Sequence, residues 1–300
     1  MSPLQTGTDE IRAVAEHGRI CALSAQCARD LQGCAADYPG LFSGKPFDAT
    51  LFTAVSMANA FGSPGDTRER LEVANRTSLW IFALDWLVDY VATSRADLDG
   101  ALAGPLAIAE GRPPAGDAPL ARFLAAIRDR VGSSPSFAAF GPVWRDELRR
   151  MLDAMTLEWE WKAALTAGTT APPSFDAYLA NADNFGSTFV NAGHWIFTSE
   201  PSALAHLDAL LEVSRKVQQV LRLLNDLATY KRDVTWGDLN AMLLGVDADA
   251  VRERIAELVA QCRVLLEPLR DTCPREAVYL ERQIGYSMGF YGAADYWGEL

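Results

Sequence analysis

Two stretches of this 300-residue chain carry oxygen ligands at helical spacing. The first runs from Leu79 to Val91 and is apolar on nearly every side except at Asp85 and Asp89. A helix of that composition is buried, and a buried carboxylate without a partner is costly. Residues four apart lie about 40° apart around a helix, one turn above the other. Two like charges so placed repel unless a cation sits between them; otherwise they are solvent-facing acids on a half-exposed helix. The second stretch runs from Arg222 to Asp233. Asn225, Thr229 and Asp233 fall at i, i+4 and i+8 and form one stripe. An amide oxygen, a hydroxyl and a carboxylate are hard donors of the kind Mg²⁺ prefers. Arg222, three residues before Asn225, belongs to the same stripe. A ligand stripe beside a cation suits a site that holds a metal together with an anion; an ordinary polar helix face is the competing reading.

These residues need helices to hold them, and helical periodicity dominates the chain while strand alternation is almost absent. The pattern predicts helices over 9–35, 48–61, 66–92, 117–131, 137–167, 174–200, 202–233, 247–270 and 275–297. The breaks carry turn chemistry at Gly62-Ser63-Pro64-Gly65, at Gly111 to Gly116 and at Thr170 to Ser174, with Asp66 and Ser174 placed as N-caps. No gap is long enough for a domain linker. The expectation is one all-α domain over 1–300, a single-domain helical bundle.

Composition narrows the function classes. Hydrophobic residues make up 49% and charged residues 22%, which suits a packed core and not disorder. Acids outnumber bases 39 to 27, a formal charge of −12 that argues against nucleic acid or an anionic membrane as partner. The five cysteines form no CxxC pair and read as reduced core thiols. The N-terminus has neither the basic start nor the apolar core of a signal peptide, and the longest apolar stretch is too short to span a bilayer. The expectation is a soluble, cytoplasmic protein. His194 has no spaced partner and reads as a packed side chain.

The motifs resemble those of class I terpene synthases. Asp85-Trp86-Leu87-Val88-Asp89 is similar to their DDxxD motif, with Trp86 in place of the second Asp. Asn225 to Asp233 is similar to their second metal motif, (N/D)Dxx(S/T)xx(K/R)(E/D), which is far more specific than an Asp pair. Order, separation and the helical pattern over the whole chain fit as well. The resemblance implies the class I terpenoid synthase fold and Mg²⁺ as cofactor, about three ions with substrate bound. Asp85 and Asp89 would bind metal from one helix, and Asn225, Thr229 and Asp233 from the opposite one. Arg222-Leu-Leu-Asn-Asp and Tyr178-Leu179-Ala180-Asn181-Ala182 resemble plant-type diterpene synthase segments. The diphosphate-sensing arginine of bacterial sesquiterpene synthases is missing, and Asp295 stands before Tyr296 where their Arg-Tyr pair would be. Diphosphate contacts therefore shift to Arg222, Arg232 and Tyr296, and the substrate to a C20 prenyl diphosphate over a C15 one. Geranylgeranyl diphosphate and a bicyclic diphosphate from a class II diterpene cyclase both remain open, as does a homodimer.

A carbocation made by losing diphosphate must be kept from water in an aromatic cavity. Phe82, Phe185, Phe189, Trp195 and Trp297 are the expected lining, although each also suits plain core. Gly186-Ser187 interrupts a helical stretch, and by resemblance the helix breaks there with freed carbonyls facing the cavity. A DxDD motif for protonation-initiated cyclisation is absent, Asp97-Leu98-Asp99-Gly100 being incomplete. The rivals are a sesquiterpene synthase, a prenyl diphosphate synthase of the same architecture, and a non-catalytic helical protein.

Overall fold

Local sequence sets the helix starts. In chain order the helices are α1 (Asp9–Ala36), α2 (Pro39–Phe42), α3 (Ala49–Gly62), α4 (Arg68–Trp86), α5 (Arg95–Ala109), α6 (Pro119–Gly132), α7 (Phe137–Thr166), α8 (Phe175–Ala180), α9 (Ser187–Thr198), α10 (Pro201–Leu204), α11 (Leu207–Trp236), α12 (Ala248–Leu266), α13 (Leu269–Thr272) and α14 (Pro274–Tyr291). Asp48, Ser174 and Asp247 cap α3, α8 and α12 by accepting from backbone N–H groups of the first turn. Pro119 and Pro274 occupy first-turn positions of α6 and α14, where the missing N–H is harmless. Gly237, at φ +74°, closes α11 in the left-handed conformation that glycine adopts without strain. The computed structural model describes residues 9–42, 44–116 and 118–298. Residues 1–8, where the signal-peptide pattern is lacking, lie outside it. No strand occurs among the described residues, so the all-α expectation holds.

One hydrophobic core reaches from Leu31 to Ile284 and encloses Trp80 and Trp144, both fully buried. Trp80 donates its indole N–H to the Leu120 carbonyl at 3.0 Å, which satisfies its one polar atom inside that core. Helix α9 packs against both α4 and α11, and α14 packs against α3 and α11. The two motif helices thereby face one another across α9. No helix among the described residues is long and apolar enough to cross a membrane.

Four details depart from the periodicity reading. Residues 95–109 form a helix that the pattern misses, opened by a Ser94–Asp97 capping box. The 66–92 helix is α only to Trp86; Leu87–Val91 is a π-helical turn, so Asp85 and Asp89 do not sit on one regular α-helix. Thr67 caps α4, whereas Asp66 is buried and paired with Arg70 and Arg275, both at Oδ1. The last helix stops at Tyr291, and 293–297 lead back over the core without helical structure. His194 is buried, stacks on Tyr279, and is held near pKa 4 by burial. All five cysteines are free, although Cys21 is exposed rather than core.

Candidate active site

A cavity of about 1390 Å³, open mouth included, lies between α4 and α11. Its wall brings together Asp85, Asp89, Arg222, Asn225, Arg232 and Asp233 from the two stretches. Phe82, Phe185, Ser187, Tyr296 and Trp297 line it as well. The Phe82 ring lies 5.4 Å from Tyr296 and 5.1 Å from Trp297, so the chain end closes onto α4 through aromatic contacts. Thr229 sits behind the wall, its Oγ1 2.6 Å from Asp233 Oδ2. Phe189 and Trp195 are not in the lining. Both are buried in the core, Phe189 against Trp80 and Trp144, and Trp195 against Tyr279.

Carboxylates crowd one side of the cavity. Lys162 Nζ, from α7, donates to Asp89 Oδ1 at 3.0 Å and to Asp238 Oδ1 at 2.6 Å, while the Tyr90 hydroxyl donates to Asp238 Oδ2 at 2.7 Å. Burial, then repulsion from Asp89 and Asp238, pushes the Asp85 carboxyl well above the usual range despite Lys162. Burial also lifts Asp89, against the pull of Lys162, to about 6. Burial opposes the charge on Lys162, but the two carboxylates outweigh it and hold the ammonium protonated. One lysine thus faces three acids, and the cluster is short of positive charge.

Arg222 is buried and engaged at all three nitrogens, with two of its five N–H bonds left over. Its guanidinium takes both Glu158 oxygens, at 3.0 and 2.9 Å, and its Nε donates to the Tyr178 hydroxyl at 2.9 Å. That hydroxyl reaches both Asp226 oxygens at 2.8 and 3.0 Å, and Asn184 donates its side-chain amide to Glu158. Burial lifts Asp226 to about 7 against the pull of Arg222 and Tyr178. Arg232 pairs with Asp295 at 2.9 Å, so the residue standing before Tyr296 holds the α11 cation instead of contributing one.

The helix break expected near Gly186 is present, but Gly186 itself is not in the lining and its carbonyl accepts from the Val190 N–H at 3.1 Å. α8 ends at Ala180, Ala182–Phe185 is a 3₁₀ turn, and Gly186 at φ +76° precedes α9. A Cβ at Gly186 would come 2.8 Å from Ile81 Cδ1 and 2.9 Å from Met151 Sδ. Gln218 staples the break: its Oε1 accepts from the Thr188 N–H at 2.9 Å and the Ser187 hydroxyl at 3.2 Å, and its Nε2 donates to Asp183 at 2.9 Å.

The donor set fits Mg²⁺. Among the described residues no three acids, imidazoles or thiols form a cage of their own. Mg²⁺ is commonly held by one or two carboxylates plus substrate phosphates, which is what donors split between two facing helices offer. Asp85 on one side and Asn225 and Asp233 on the other are the residues that would hold it. Sequence reasoning misses Glu158, Lys162, Asp238 and Gln218. The first two stand in Glu158-Trp159-Glu160-Trp161-Lys162, where charges four apart between tryptophans were the available signal.

Residues 76–263 match the family model described as terpene synthase family 2, C-terminal metal binding. The chain is 25% identical over 272 residues, 90% of either chain, to ent-pimara-9(11),15-diene synthase of Streptomyces sp. strain KO-3988. Among solved structures it is similar to cucumene synthase, at TM-score 0.70 and 18% identity over 91% of this chain and 96% of that one. It is likewise similar to 2-methylisoborneol synthase of Streptomyces coelicolor A3(2) in complex with Mg²⁺ and 2-fluoroneryl diphosphate, at TM-score 0.66 and 17% identity over 93% and 94%. With the family model covering both motifs and the donors of both in one cavity, this chain belongs to terpene synthase family 2 and is a class I terpene synthase.

Proposed function

We propose that the protein is a Mg²⁺-dependent diterpene synthase. It ionises a C20 prenyl diphosphate, geranylgeranyl diphosphate or a bicyclic labdane-type diphosphate, releases diphosphate, and cyclises or rearranges the cation. The observation that carries this reading is the placement of Asp85 opposite Asn225 and Asp233 across an aromatic-walled cavity. When bound, Mg²⁺ supplies Lewis acidity toward the leaving diphosphate. Asp85, Asn225 and Asp233 would hold the metal, Thr229 reaches it only by moving its hydroxyl off Asp233, and Asp89 adds charge there through its lysine-bound carboxylate. Arg222, Arg232 and the Tyr296 hydroxyl, which line the same cavity, would take the diphosphate oxygens, the arginines adding charge-assisted hydrogen bonds beside their pairs with Glu158 and Asp295. Phe82, Phe185 and Trp297 exclude water from the reacting chain and offer π-faces to positive charge.

The C20 assignment is supported by Arg222 preceding Asn225, by the Tyr178 segment, and by the likeness to a bacterial diterpene synthase. Incubation of the protein with geranyl, farnesyl and geranylgeranyl diphosphate and with a bicyclic labdane-type diphosphate tests it, with Mg²⁺ and with chelator. A C20 hydrocarbon or alcohol formed only with Mg²⁺ is the expected result. Turnover confined to farnesyl diphosphate, or chain elongation on adding isopentenyl diphosphate, would overturn it.

A further inference from the structure

The apolar wall of the cavity includes several polar side chains, and most have their atoms committed elsewhere. Gln283 exchanges hydrogen bonds with Asn191 through both amide atoms, each at 3.0 Å. The Ser187 hydroxyl goes to Gln218 at 3.2 Å, and the Ser78 hydroxyl to the Ala74 carbonyl of its own helix at 2.8 Å. Asn59 of α3 differs. Its Nδ2 donates to Asn75 Oδ1 at 2.9 Å and to the Val55 carbonyl at 3.3 Å, with Ser78 Oγ at 3.4 Å. Three acceptors surround a nitrogen with two hydrogens, so the amide cannot flip without loss. Asn75 is buried beside it at 2% exposure and presents its Oδ1 to that nitrogen. With its nitrogen turned to Val55, Asn75 and Ser78, the amide leaves Oδ1 as its atom available to the cavity that Asn59 lines. Oδ1 makes no hydrogen bond among the described residues, and Asn59 is only 6% exposed.

A buried carbonyl without a donor is unfavourable by itself and becomes favourable beside positive charge. Val55, Ala58 and Ile81 of the lining are apolar, and the polar Ser78 hydroxyl lies on the nitrogen side of the amide, so little screens the carbonyl's field. A dipole already held in orientation needs no reorganisation when charge develops. We infer that Asn59 is a specificity-determining residue: its Oδ1 fixes positive charge of the reacting hydrocarbon at the α3–α4 wall and so biases which carbon carries the cation when a proton leaves. The inference rests on the proposed function. It requires no covalent step at Asn59, whose amide neither gains nor loses a proton.

Asn59→Leu is nearly isosteric and removes the dipole. It also strips Asn75 of its donor, so Asn59→Leu/Asn75→Leu, which leaves no orphaned acceptor, is the second variant. The probes are a C20 amine, protonated at the position of a tertiary cation, and the hydrocarbon of the same skeleton, each with Mg²⁺ and inorganic diphosphate. Calorimetry should show the ammonium weakened by about tenfold or more in both variants, as for a lost hydrogen bond to a charged group, and the hydrocarbon changed less than about twofold. The ratio of products from the natural substrate should shift in parallel. Equal losses for both probes would make Asn59 a shape element only. A product hydroxyl that takes its oxygen from ¹⁸O-water and vanishes in Asn59→Leu would assign the carbonyl to a held water, and either result overturns the inference. A wild type inactive with every prenyl diphosphate defeats the proposed function instead; an active wild type with unchanged variants defeats this inference alone.

Discussion

The Lys162 ammonium lies 3.0 Å from Asp89 Oδ1, and this contact separates the roles of the two aspartates in the 85–89 run. Asp89 already has a cation, which Asp238 shares at 2.6 Å. Asp85 has no cation bonded to it among the described residues, and burial together with repulsion from Asp89 and Asp238 pushes its pKa up. Asp85→Asn should therefore reduce kcat by about a hundredfold or more while the helical circular dichroism is kept. Asp89→Asn should cost about tenfold or less, together with stability lost at Lys162. Equal kinetic losses in the two variants would contradict this division.

Arg222 and Glu158 form a buried bidentate pair. Breaking such a pair leaves an uncompensated charge, so Arg222→Met and Glu158→Leu should each cost about 3 kcal/mol in urea denaturation. The double variant should recover most of that loss, because neither charge remains. Only the variants lacking Arg222 should also weaken inhibition by inorganic diphosphate. Additive losses in the double variant would show that the two side chains act independently.

Gly186→Ala tests the helix break. A side chain in the left-handed conformation costs about 1–2 kcal/mol before any contact with Ile81 and Met151 is counted. The urea midpoint should fall accordingly, and a change below about 0.5 kcal/mol would show that the break tolerates a Cβ.

Asp226 gives the apo protein a pH dependence of known sign. Its folded pKa, about 7, lies above the usual carboxylate range because of burial. The folded state therefore binds a proton that the unfolded state releases near pH ~4. The associated stability is fully present below that value and is lost as pH rises through about 7. Relative to Asp226→Asn, the wild type should lose stability between about pH 4 and pH 7 in metal-free buffer. A flat difference, or one that grows with pH, would contradict the raised value.

Much of this arrangement is legible in the residues themselves. The 48–61, 117–131 and 137–167 predictions differ from α3, α6 and α7 by only one or two residues at either end, because caps, prolines and apolar spacing act locally. The α11 donors are legible because i, i+4 and i+8 on one helix need no knowledge of the rest of the chain. Helix α5 escapes notice because Gly100, Gly104 and Pro105 lower its propensity, and only the Ser94–Asp97 box marks its start. Lys162 and Glu158 escape for another reason: each is defined by partners on helices far away in sequence, and on its own helix it reads as a solvated charge. Trp195 and Phe189 illustrate the converse error, since an aromatic near a motif packs the core as readily as it lines a cavity.

The central claim is that this cavity ionises a C20 diphosphate with Mg²⁺ held by Asp85 and the α11 donors. Gas chromatography with mass detection, alongside a diphosphate-release assay on the same reactions, tests it most directly. Wild type with Mg²⁺ and geranylgeranyl or labdane-type diphosphate should release diphosphate and yield a C20 product in equal amounts, and should yield neither in EDTA or as Asp85→Asn. Undiminished product in chelator, or no product from any prenyl diphosphate by a folded wild type, would contradict the account.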